Sequence, residues 1–210
     1  MRVISTNIGP LTKVNWHGKE IVTGIFKKPI DEPLMLQTDS VANDSIADPR
    51  VHGGQYKACY LFSSKYYNYW KRKYPHLEWG WGMFGENLTI EHLEERELRI
   101  GDIYEIGTAL IQITQPREPC FKLGIRFGTQ EILKEFIAHG HPGTYVKVLK
   151  KGIVKKGDPL ILKEKSKSPL TIQDFYRLLF EEKKNKDHLA LAIANPCIPE
   201  KKRNRLKNYV

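Results

Sequence analysis

The feature that most restricts how this chain can fold is a train of short β-prone runs, separated by turn signals, that fills its first 165 residues. Arg2 to Asn7, Lys19 to Phe26, Lys57 to Phe62, Glu97 to Ile106, Thr108 to Gln115, Thr144 to Leu149 and Pro159 to Lys163 each read as a strand. Many short strands must cover their edges by closing or stacking, so the pattern predicts a mainly β, barrel-like or sandwich domain. Helical periodicity intrudes only at Ser64 to Tyr74 and at Gln130 to Ala138. There Tyr67, Trp70 and Tyr74, and then Ile132, Leu133, Phe136 and Ile137, fall on single faces that belong in a core.

Past residue 165 the pattern changes. Thr171 is placed to cap a helix carrying Phe175, Leu178 and Leu179, and a second apolar segment runs from His188 to Ala194 before Pro196 and Pro199. A third, poorly apolar helix is expected over Glu200 to Tyr209. The division is therefore a β domain over 1–165 and a small α-helical subdomain, a three-helix appendix, over 166–210. So thin an apolar face needs the main body or a partner to cover it. No run is long enough to span a membrane, and the N-terminus lacks a secretory apolar segment, so the expected setting is soluble and cytoplasmic.

Charge and cysteine usage narrow the chemistry. The 34 Lys and Arg against 24 Asp and Glu give a net charge of +10, which favours an anionic partner: a phosphorylated cofactor, a nucleic acid or an acidic protein. Residues 166–210 hold ten of the basic residues and five of the acidic ones, and so supply half the excess. Cys59, Cys120 and Cys197 are odd in number and lack CxxC spacing, which argues against a disulfide framework or a zinc knuckle.

One thiol stands apart. In Gln115-Pro116-Arg117-Glu118-Pro119-Cys120-Phe121-Lys122-Leu123, two prolines stiffen the approach to Cys120, and Arg117 and Lys122 flank it with positive charge that favours the thiolate. Two glycine-rich segments share this site-like composition. Asp48 to Lys57 includes His52, Gly53 and Gly54, and Gly82 to Leu88 includes Glu86 and Asn87, a carboxylate and an amide suited to the edge of a heterocycle.

These three segments, with Ile100-Gly101-Asp102 and the Gly143 to Asp158 stretch, closely resemble the MOSC family, named for the C-terminal domain of molybdenum cofactor sulfurases. Within it the resemblance is to the stand-alone YiiM-like group, and it covers nearly the whole chain. Lys147 departs from the arginine expected there, keeping the charge but not the planar fork.

The resemblance implies a β-barrel-like domain that binds the molybdenum cofactor (molybdopterin), with Cys120 ligating the metal. It also implies that Lys57, Arg117, Lys122 and the Gly53-Gly54 turn serve the cofactor phosphate, that Glu86 and Asn87 contact the pterin edge, and that His52 orients or donates a proton. The implied activity is reduction of N-hydroxylated compounds such as hydroxylamino bases and amidoximes. Electrons would come from a separate electron-donor protein, a flavoprotein or haem protein, because neither a flavin nor an iron–sulfur motif is visible in the sequence. Two other classes compete: a cofactor or sulfur carrier using a Cys120 persulfide, and a single-stranded nucleic-acid binder stacking bases on Trp70, Trp79 and Trp81.

Overall fold

The computed structural model describes residues 1–48 and 53–209. Twelve strands are formed among these residues: β1 (Arg2–Ile8), β2 (Thr12–Trp16), β3 (Lys19–Thr23), β4 (Lys28–Ile30), β5 (Leu34–Leu36), β6 (Cys59–Ser63), β7 (Leu88–Glu91), β8 (Ile103–Ile106), β9 (Ala109–Pro116), β10 (Thr144–Lys150), β11 (Gly152–Val154) and β12 (Leu160–Glu164). Six α-helices accompany them: α1 (Tyr67–Lys73), α2 (Phe121–Phe127), α3 (Glu131–His139), α4 (Ile172–Phe180), α5 (Lys186–Ala194) and α6 (Glu200–Leu206).

Eight strands form one mixed sheet in the order β12-β8-β9-β10-β6-β7-β1-β4, while β2 with β3 and β5 with β11 form separate two-stranded ladders. Among the described residues β12 and β4 are edges, so the sheet is open and the expected barrel closure is not found. The expectation of a mainly β chain also understates the helices. β6 and β7 run parallel, which requires a crossover, and the segment carrying α1 provides it. Period-2 patterning cannot show strand direction, and α2 lies where no helical periodicity stood out.

The sheet buries both faces. Along β6, Cys59 and Leu61 join a core with Val3, Ile90, Ile111 and Val146, while Tyr60 and Phe62 turn to a second core with Trp70, Phe84, Phe127 and Phe136. Each such side chain, fully buried, contributes about 1.5–3 kcal/mol. The three C-terminal helices share the first core through Ile172, Phe175, Leu178, Leu189, Ala192 and Leu206. Thr171 caps α4 as expected, its Oγ1 accepting from the Asp174 amide at 3.1 Å. α4 therefore lies against β9, and the three helices share a common core with the sheet, which explains how a weakly apolar appendix is held.

Several boundaries differ from the sequence expectation in ways that shape the site. The strand read over Lys19 to Phe26 ends at Thr23, and the following residues leave the ladder. Gly24 permits this turn of path, because a side chain there would meet the Ser45 carbonyl at 2.0 Å. The strand read from Lys57 begins instead at Cys59, after a single 3-10 turn over Gln55–Lys57. Of the strand read over Glu97 to Ile106, only Ile103–Ile106 is extended in the sheet.

Candidate functional site

A cleft opens where the end of β9, the turn before β6 and the chain after β3 converge. It encloses about 100 Å³ and opens to solvent. Cys120, Arg117, Lys57, Lys122 and Asn87 all line it. Five sequence candidates from three separate segments are thus brought together.

Cys120 is half-buried at the extended residue just before α2, held where the Leu123 amide donates to its carbonyl at 2.8 Å. Arg117 is only 6 % exposed, and its Nη1 is buried without a hydrogen-bond partner. Its guanidinium lies 5.3 Å from the Tyr60 ring centre and 5.6 Å from that of Phe136. Burial works against its charge, but the phenols of Tyr60 and Tyr145 and the Cys120 thiol more than offset that effect, so Arg117 stays protonated. Lys57 stands over the Tyr145 ring at 5.6 Å. Burial first, and then the neighbouring Lys202, hold its pKa below the usual lysine value.

The two glycine-rich candidates behave differently. Gly54 has φ of 86°, which favours glycine, and its carbonyl accepts from the Lys57 amide at 2.8 Å. The Gly53-Gly54 turn thus presents Lys57, and neither glycine is part of the described lining. Glu86 is fully buried behind the cleft and does not line it. Its carboxylate accepts from the amides of Gly82 (3.0 Å) and Phe84 (3.1 Å), from Thr89 Oγ1 (2.8 Å) and from the Tyr67 hydroxyl. Burial pushes its pKa up and these donors pull it back. Such a carboxylate organises the Gly82–Asn87 loop and has nothing left to offer a pterin. Asn87 does reach the cleft, yet its Oδ1 accepts from the Tyr60 amide (3.1 Å) and its Nδ2 donates to Asp44 (2.9 Å). It orders the wall. His52 lies outside the described residues.

Lys27, Asp44, Tyr60, Glu118 and Tyr145 also line the cleft and were not singled out from the sequence. Lys27 pairs with Asp44, both almost fully buried, and Asp44 also accepts from the Gly9 amide at 3.1 Å. No motif marks this pair, because its members lie on separate loops and meet only in the fold. Among the described lining residues four cations face two carboxylates, and each carboxylate is bound by a lysine, Asp44 by Lys27 and Glu118 by Lys202. Basic side chains outnumber acidic ones among the described lining residues, which favours an anion.

Other expected features fall elsewhere. Lys147 sits over the Tyr56 ring at 5.6 Å and is not in the lining. Trp70 is fully buried, and Trp79 and Trp81 are half-buried around Tyr67, at 6.0 and 4.5 Å between ring centres. These indoles belong to the aromatic core and form neither a cleft wall nor an open stacking surface. Among the described residues no helix is long and apolar enough to cross a membrane.

A fold with an eight-stranded mixed sheet, a cation-rich cleft and one cysteine at its rim defines a class that the comparisons identify. Residues 48–161 match the MOSC domain. The chain belongs to the MOSC domain family. It is 31 % identical to the "Uncharacterized protein YflK" of Bacillus subtilis (strain 168), covering 97 % of this chain and 95 % of that protein. It is 32 % identical to a "Reductase" of Gibberella moniliformis, over 77 % of this chain but only 29 % of that longer protein. The crystal structure of YiiM from Geobacillus stearothermophilus superposes with a TM-score of 0.81 at 27 % identity, covering 99 % of this chain and 97 % of that one. Within the family the chain is YiiM-like.

The residues present fit the molybdenum cofactor that MOSC domains are associated with. Among the described residues there is no group of three or more His, Cys, Asp or Glu that could hold a metal ion. A thiolate is a suitable soft ligand, and the buried, unbonded Nη1 of Arg117 is a donor awaiting an anion.

Proposed function

We propose that this MOSC protein is a molybdenum-dependent oxidoreductase that reduces N-hydroxylated compounds, hydroxylamino bases and amidoximes among them. Family membership and the relative named Reductase support the class. The observation that carries the reading is the presence in one cleft of Cys120 and of Arg117, whose Nη1 is buried without a partner. Leaving a buried donor unbonded costs on the order of 1–3 kcal/mol, a cost that an anionic ligand removes.

When bound, the cofactor supplies the two-electron chemistry. Cys120 would hold the metal through its thiolate, and Arg117, Lys57 and Lys122 would offset the negative charge of dithiolene and phosphate. Asn87 and Asp44 keep the opposite wall in shape. The reaction breaks the N–O bond of the substrate, takes up two electrons and two protons, and releases the amine or amidine with water. Protons come from water or His52, and Lys57 lines the cleft with its pKa lowered by burial. Electrons come from a separate flavoprotein or haem protein.

Elemental analysis of protein expressed with an intact cofactor pathway tests the reading. Near-stoichiometric molybdenum and benzamidoxime reduction with an artificial electron donor are expected for the wild type, and both are lost in Cys120→Ala. Equal metal and equal activity in the two proteins overturn the assignment, and sulfane sulfur on Cys120 without molybdenum favours a sulfur carrier instead.

A further inference from the structure

The C-terminal helices reach the site through Lys202. Lys202, on α6, donates through Nζ to Gln115 Oε1 at 2.7 Å and to Glu118 Oε1 at 2.5 Å, bridging 87 and 84 residues of sequence. Its side chain is only 13 % exposed and stands over the Phe175 ring at 5.6 Å. A lysine so buried must find acceptors, because an unpaired ammonium in such a place is costly. Both of its acceptors lie in the rigid segment that ends at Cys120. Gln115 then passes the contact on, its Nε2 donating at 3.4 Å to the Tyr56 carbonyl, next to Lys57.

We propose that Lys202 is a positioning residue for the cleft: from outside the catalytic sheet it holds the Gln115–Cys120 segment and, through Gln115, the turn carrying Lys57. The C-terminal helices are thereby part of the site's architecture rather than a dispensable addition. Without the lysine, Glu118 loses its ion pair beside the cleft and the two-proline segment loses its link to the C-terminal helices. This inference rests on the reading that Cys120 is the working thiol, yet its test does not depend on that reading.

Hydrogen exchange followed by mass spectrometry on the full chain compares wild type with Lys202→Met and Lys202→Arg. Methionine keeps the contact with Phe175 and removes the charge, and arginine retains both hydrogen bonds. In Lys202→Met the amides of 117–123 are expected to exchange at least tenfold faster with the thermal midpoint unchanged, and Lys202→Arg is expected to return them to within twofold. In protein loaded with cofactor, the molybdenum retained after dialysis falls at least threefold in Lys202→Met and recovers in Lys202→Arg. Unchanged exchange in Lys202→Met overturns the proposal, as does faster exchange spread evenly over β9, β10 and the core with a lowered midpoint. If exchange responds as expected while Cys120→Ala keeps its metal, the positioning role stands and the assignment of Cys120 as ligand falls.

Discussion

Asn87 Nδ2 donates to Asp44 Oδ2 at 2.9 Å, and the same carboxylate receives Lys27, so one buried acid ties together three segments that are remote in sequence. All three wall the cleft directly. Charge and hydrogen bonding are thus part of how this fold holds its binding surface open, beyond the packing of its two apolar cores.

Asp44→Asn is expected to leave the Lys27 amine without its carboxylate in a site where both side chains are less than a tenth exposed. The loss should be about 3–5 kcal/mol of folding stability, measured by urea unfolding. The double replacement Lys27→Met with Asp44→Leu should cost less than Asp44→Asn alone. A loss below about 1 kcal/mol for Asp44→Asn would mean that water or another group takes the lysine.

Arg117→Met is expected to keep the fold and to change stability by less than about 1 kcal/mol, because it removes a buried cation with an unsatisfied N–H. Inorganic phosphate, used as a probe of the cleft in calorimetry, should bind at least tenfold more weakly to the variant. Equal phosphate affinity would remove Arg117 from the anion site.

Glu86→Gln exchanges one acceptor oxygen for a donor that faces the amides and hydroxyls already pointing at it. A loss of roughly 2–4 kcal/mol is expected from the unpaired groups, with faster proteolysis of the Gly82–Asn87 loop. An undiminished stability would show that the loop does not depend on this carboxylate.

Burial, with help from His141 and Lys73, lowers the His139 pKa to about 4 in the folded chain, and its Nδ1 has no hydrogen-bond partner. Between its ordinary value and about 4 the unfolded chain binds the extra proton, so stability is full above pH ~6.5 and falls as pH drops toward 4. Half-exposure reduces the effect to on the order of 1 kcal/mol. His139→Phe should flatten that part of the stability profile in chemical denaturation at stepped pH, and an unchanged slope would assign it to other groups.

Local chemistry made part of this molecule legible in advance. Thr171 announces a helix start by its own hydroxyl, and the β9 and β10 runs alternate clearly enough to be read within a residue or two. Cys120, Arg117 and Lys122 stood out because prolines and charge surround a lone thiol in nine consecutive residues. Glu86 and Asn87 were visible as a pair, yet whether a carboxylate faces a ligand or its own loop depends on which amides lie around it. The sheet's failure to close was also hidden, since strand runs look the same whether their outer edges meet or not.

The order of residues along the chain determined several of the short strands, the capped start of α4 and the stiff cysteine segment, all of which follow from backbone preferences and spacing within a few residues. Only the tertiary structure decided that β6 and β7 run parallel, that Lys27 finds Asp44, and that Lys202 comes back to grip Gln115 and Glu118. Those are pairings between distant segments, selected because each buried charge or strand edge must find a partner, and nothing in either segment alone names the other.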